Sequence, residues 1–158
     1  MKKLAALLAG VTILLAACTE KAEPVKKPTK VEEKEKEVTY SIGDHAEVDG
    51  VKMTLKSVTT TEERNEFAEI DPAIVVKIEY ELENGTEEEI PVGLDLQVYD
   101  GTGNQVDSYP LDNTLGSLQP GKKIQVTEHY GITEGPIEIY FQPIASFGKH
   151  AIFTAEVE

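Results

Sequence analysis

Cysteine occurs once in the 158 residues, as Cys18, so no intrachain disulfide can form and nothing covalent braces the fold. Long apolar runs are equally scarce. The longest, Leu4 to Ala17, holds 14 apolar or small residues, short of the roughly 20 needed to cross a hydrocarbon layer about 30 Å thick. Positive charge is thin in the larger part of the chain, where Val38 to Glu158 carries seven Lys or Arg against 23 Asp or Glu, near −16. Such a field argues against nucleic acid and anionic lipid surfaces as partners and favours metal cations or basic partners. High negative charge also keeps a crowded surface protein soluble, and the acids here are spread over many segments. Catalytic signatures are missing too. There is no Gly-x-Ser-x-Gly elbow and no glycine-rich loop entering a helix to cradle phosphate. His45, His129 and His150 stand far apart, without the spacing of a zinc site or a triad, and read as surface residues. No catalytic residue, metal ligand or cofactor can be named, and the chain reads as a non-enzyme.

What is present begins with an address. Met1-Lys2-Lys3 followed by the apolar run has the charged and hydrophobic regions of an export signal. The run ends in Leu15-Ala16-Ala17-Cys18, which resembles the bacterial lipobox. That resemblance implies a thioether-linked diacylglycerol on Cys18, cleavage after Ala17 by signal peptidase II, and a lipidated cysteine as the mature N-terminus. The chemistry needs a thiolate nucleophile, which no neighbouring hydroxyl replaces. Each buried acyl methylene contributes about 0.8 kcal/mol, and two chains hold where one binds reversibly. The expected partner of residue 18 is therefore the lipid bilayer, and the expected location is the extracytoplasmic face of the cell membrane.

Residues 18–37 form the expected tether. Thr19 to Glu37 contains six lysines, six glutamates, two prolines and only two valines, too little apolar surface to offset the entropy of ordering. A flexible coil of that length has a root-mean-square span on the order of 25 Å. From residue 38 onward the pattern changes to period-two alternation. His45 to Val48 leads through Asp49-Gly50, a strong hairpin dipeptide, into Val51, Met53 and Leu55. A polar stretch from Thr59 to Pro72 reads as a long loop with one short helical turn around Phe67. The clearest strand follows, with Ile74, Val76, Ile78, Tyr80 and Leu82 on one face and charged residues opposite. After Asn84-Gly85, alternation places Leu94, Leu96 and Val98 inward and Asp95, Gln97 and Tyr99 outward. Asp100 to Asn104 closes a hairpin, and Gln119-Pro120-Gly121-Lys122 has the residues of a type II turn leading into Ile124 to Ile132. Glu134-Gly135-Pro136 turns again before Ile137 to Phe141, and Ala151 to Val157 supplies the last strand.

Seven or eight short strands separated by turn residues predict an all-β fold, an antiparallel β-sandwich over 38–158. The Cys, Trp, Cys core of antibody domains is absent. The order Tyr40-Ser41-Ile42-Gly43-Asp44, Glu47 to Leu55, Asn84-Gly85-Thr86 and Leu118 to Lys123 resembles domain-of-unknown-function family 4352, found in lipoproteins of Gram-positive bacteria. The resemblance spans nearly all of the domain. It implies an immunoglobulin-like sandwich related to a secreted mycobacterial immunoprotective antigen, and it implies no activity and no functional residues.

Three features stand out as candidates. Glu128 interrupts the apolar series Ile124, Val126, Tyr130, Ile132, where relatives tend to be apolar, and burying a carboxylate is costly unless it is paired. A β-bulge or strand end that lets Glu128 reach water is the competing expectation. Asp100, Thr102 and Asn104 echo the first ligands of a calcium loop, but Gln105 and Leu111 replace its glycine and glutamate, so a hairpin turn is expected. Tyr99 and Tyr140 are expected to face outward and would make an aromatic platform for a glycan or peptide if they are neighbours on one sheet. Two functions follow: a non-catalytic surface module binding an envelope component or a protein partner, or a cation-binding, envelope-stress accessory using the acidic surface.

Overall fold

The computed structural model describes residues 38–144 and 146–157, so Cys18, the expected signal segment 1–17 and the tether 18–37 lie outside the described residues. The described residues contain no helix, and eleven strands run in chain order: β1 (Thr39–Tyr40), β2 (His45–Val48), β3 (Val51–Thr61), β4 (Ile74–Asn84), β5 (Ile90–Val92), β6 (Leu96–Tyr99), β7 (Gln105–Val106), β8 (Gly116–Leu118), β9 (Lys123–Ile132), β10 (Ile137–Phe141) and β11 (Ala151–Ala155). One sheet has the order β2-β3-β4-β9, the second β1-β11-β10-β6-β7, and β5 with β8 makes a two-stranded ribbon. All pairings are antiparallel except β1 with β11. The count exceeds the expected seven or eight because β1, β5, β7 and β8 are only two or three residues long and carry too little alternation to read.

The inner faces meet in one apolar core. Met53, Leu55, Ile78, Tyr80 and Leu82 of the first sheet and Val98, Ile139, Phe141 and Phe153 of the second are fully buried. At roughly 25 cal/mol per Å² of apolar area removed from water, this interior must stabilise the fold without covalent help. The outer face of the four-stranded sheet is charged, and Lys52, Glu83 and Lys123 lie side by side across β3, β4 and β9 with Nζ···O distances of 2.5 and 3.0 Å. Exposed pairs like these contribute about 0–1 kcal/mol each.

The turns follow their residues. Asp49 and Gly50 both adopt positive φ, 49° and 84°, as a two-residue hairpin loop of type I′ demands. Gly121 at φ 68° with Lys122 N–H donating to Gln119 O at 3.2 Å forms the expected type II turn. Around Phe67 there is a turn closed by Ala68 N–H on Asn65 O at 3.0 Å, not a helix, and Phe67 is exposed.

Two expectations about sidedness need correction. Leu94 points to solvent and Asp95 is buried, the reverse of the simple alternation. Pairing of β6 with β10 begins only at Leu96, and Gly93 just upstream, at φ 87°, turns the backbone so that the phase of β6 does not extend back to 94 and 95. His129 is also buried rather than on the surface. It lies on the outer side of β9, but segment 108–114 covers that edge: Tyr109 N–H donates to His129 O at 2.7 Å and Thr114 N–H to Thr127 O at 2.8 Å. Covering an edge in this way removes a template for unwanted strand pairing.

Candidate functional site

Glu128 is the centre of a polar cluster between the sheets. The β4–β9 register is unbroken through Ile78↔Glu128, so there is no bulge to carry the carboxylate outward, and Glu128 is 3% exposed. The bulge in this sheet falls on β3, between Leu55 and Ser57. Two tyrosines answer the buried carboxylate. The Tyr80 hydroxyl donates to Oε1 and the Tyr130 hydroxyl to Oε2, each at 2.5 Å. Both oxygens thus accept a proton donor, which is what an inward carboxylate requires. Tyr80 comes from the facing strand β4 and Tyr130 lies two residues along β9, on the same face as Glu128. Burial, followed by the charge of Glu128, pushes the phenol pKa of Tyr80 well above its ordinary value and raises that of Tyr130 as well.

A second acid shares this interior. Asp95 is 2% exposed, and its carboxylate accepts the Gly93 N–H at 3.3 Å and the Leu94 N–H. Its pKa is raised from 3.8 to about 6, chiefly by burial and further by the nearby Glu128 charge, against the downward pull of the two backbone N–H groups. No ion pair reaches Asp95 among the described residues. Gly93 sets this geometry. A Cβ there would stand 2.0 Å from Thr114 O, and its φ is one that L side chains rarely adopt. Gly93→Ala is expected to destabilise the domain by at least about 1–3 kcal/mol from backbone strain alone, readable as a lower urea midpoint with an unchanged m-value.

Asp95 also lines a cleft of about 450 Å³ where the Asp49-Gly50 turn, residues 86–95 and the loop after β10 meet. Its walls are largely apolar, with Ile90, Pro91, Ile144 and Phe147, and Asp49 and Glu88 are also among the residues around it. Phe147 is 94% exposed and Ile144 52%. The loop is fixed to Asp95 by Gln142 N–H on Asp95 O at 2.8 Å, and Gln142 Nε2 donates to Ser146 O at 2.9 Å. Lys149 is committed to Asp49 at 2.5 Å, which holds that carboxyl below its usual range.

The remaining candidates are placed as follows. Tyr99 and Tyr140 lie on β6 and β10 of one sheet, with ring centroids 5.0 Å apart, and His150 extends the row, 5.1 Å from Tyr140. The two tyrosines are thus neighbours on one sheet, the arrangement a platform requires, with ring planes 60° apart, so the aromatic surface they offer is angled and not a single flat face. Asp100 spends its carboxylate on its own hairpin: Oδ1 accepts from Thr102 Oγ1 at 2.5 Å and from Thr102 N–H at 3.0 Å, and Oδ2 accepts from Thr133 N–H at 3.1 Å. Among the described residues no three His, Cys, Asp or Glu side chains come together as a metal-binding group. His129 Nδ1 lies 2.8 Å from Asn113 Oδ1, and burial lowers its pKa. Asp95 was missed by sequence reading, and its one signal was the glycine two residues before it.

Fold comparison defines the class. The chain resembles the YjhA protein of Bacillus subtilis (17% identity, TM-score 0.59, covering 75% of this chain and 100% of that one) and the secreted protein MPT63 of Mycobacterium tuberculosis (9%, 0.56, 75% and 98%). A similar likeness holds to YcdA of Bacillus subtilis, described as a lipoprotein (16%, 0.59), of which this chain, covered over 71% of its length, spans 38%. At these identities the likeness shows the fold, an immunoglobulin-like all-β sandwich. No family model and no curated protein matches the chain.

Proposed function

We propose that this protein is a membrane-anchored extracytoplasmic lipoprotein whose non-catalytic immunoglobulin-like domain binds a protein partner or another envelope component, and that it belongs with family 4352. The observation that carries the reading is Leu15-Ala16-Ala17-Cys18 closing an apolar run of 14 residues directly ahead of a neutral Lys/Glu/Pro segment and a sandwich. The neighbours described as secreted and as a lipoprotein support it. The cleft beside Asp95 supplies a concave, largely apolar surface of a size common for ligand sites. The cation-binding alternative has only the overall acidity in its favour.

Mass spectrometry of the native product is expected to show Cys18 as the N-terminal residue carrying a diacylglycerol. Cys18→Ala should move the protein from the membrane fraction to a soluble one. An unmodified thiol on a chain that keeps Met1 would remove the reading.

A further inference from the structure

The cleft contains an unbalanced combination of groups. Its walls are apolar, yet Asp95 contributes a buried carboxylate that has no cation beside it and that already feels the charge of Glu128. Ser146 lines the same cleft, is 2% exposed, and its Oγ has no hydrogen-bond partner, although it lies near enough to Asp49 to help lower that group's pKa. A buried hydroxyl without a partner costs about 1–3 kcal/mol, so the Ser146 hydroxyl has hydrogen-bonding capacity to spare in the same cleft as a carboxylate that accepts backbone N–H groups but meets no cation. Glu128 cannot be the group that calls for a ligand, since both of its oxygens are filled by Tyr80 and Tyr130.

We propose that the cleft receives a lysine side chain of a protein partner, its ammonium meeting Asp95 and the Ser146 hydroxyl and its aliphatic stem lying along Ile90, Pro91 and Ile144. This rests on the reading of the domain as a binding module and names the chemistry it recognises. Charge complementarity selects a cation: Glu88 and Glu89 are also among the cleft residues, in no ion pair among the described residues, and the domain is near −16. The backbone N–H groups of Gly93 and Leu94 already occupy part of the Asp95 carboxylate. That leaves a poor seat for the two-pronged guanidinium fork and a suitable one for a compact ammonium with three donors. The apolar walls suit the four-carbon stem, which lysine buries readily while its head stays on polar groups.

Fluorescence anisotropy on the full chain in detergent micelles tests this, with labelled Ac-Ala-Pro-Lys-Ala-amide, its arginine and Nε-acetyl-lysine counterparts, and cadaverine as a competitor. Saturable binding of the lysine peptide is expected, weakened at least tenfold by acetylation and at least tenfold by Asp95→Asn. The Asp95→Asn protein should melt no lower than the parent, which separates lost binding from lost folding. Absence of saturable binding, equal binding after acetylation, or binding that survives Asp95→Asn would overturn the assignment. An arginine peptide binding tenfold tighter overturns the ammonium, and cadaverine displacing the peptide at equal affinity overturns the protein source. Failure of the lipoprotein reading would instead appear in the mass of the N-terminus, leaving peptide binding untouched.

Discussion

Replacing Glu128 with alanine is expected to lower the stability of the domain by about 3–5 kcal/mol, because it leaves the hydroxyls of Tyr80 and Tyr130 without an acceptor in the interior. The cavity left by the missing side chain adds to the loss. The contrast that proves the cause is a triple replacement, Glu128→Leu with Tyr80→Phe and Tyr130→Phe, which removes the polar groups together. Replacing a buried polar set by apolar groups of similar volume is often neutral or stabilising, so the triple variant should recover most of the loss in urea unfolding. If the single and triple variants are equally damaged, packing volume and not the carboxylate accounts for the effect. Removing the Glu128 charge also takes away one of the influences that raises the Asp95 pKa, so the Asp95 titration should move down in Glu128→Gln.

Asp95→Asn is expected to do the opposite and stabilise the domain at pH 7. The folded pKa is raised from 3.8 to about 6. Below pH 3.8 the carboxyl is protonated in both states; between 3.8 and 6 the folded chain keeps a proton that the unfolded chain has released. Stability from this group is therefore full at the acid end and lost as the pH rises through about 6. The shift corresponds to about 3 kcal/mol at neutral pH, an upper bound because the Asn amide must itself be accommodated. His129 works with the other sign: burial lowers its pKa below 6.5, so its contribution is present above 6.5 and falls as the solution is acidified. The measurement is accordingly the difference in unfolding free energy between parent and Asp95→Asn from pH 4 to 8, in which His129 cancels. A difference that stays flat across that window would show Asp95 to be solvated.

These two acids also show how far the sequence could be read. Glu128 was visible because it broke an apolar series within a long strand, where alternation is reliable and the register with β4 holds over ten residue pairs. Its partners were not visible, since a tyrosine hydroxyl looks the same in sequence whether it caps a carboxylate or meets water. Asp95 was misread because alternation applies only where a ladder fixes it, and the ladder starts one residue later, after the turn at Gly93. His129 was misread for a different reason: the cover over its side of β9 is built from residues 16 to 20 positions away, a tertiary event with no local signature. Strands β4, β9 and β10, the first part of β3 and the turns between them were legible from alternation and turn chemistry, whereas Thr59 to Thr61, expected in a loop, extend β3 along β4. The cleft was not, because it forms where three separate segments converge.

The carboxylate bridged by two phenols also bears on how the chain finds one alignment among several. A one-residue displacement of β9 along β4 would swing position 128 into solvent and drive Thr127 or His129 between the sheets. A two-residue displacement would keep the facing but separate Glu128 from the Tyr80 hydroxyl, stranding a charge in oil. Aliphatic contacts alone would tolerate such sliding more readily, so this polar clasp works as an index mark, penalising misaligned pairings in a protein that has no disulfide to forbid them.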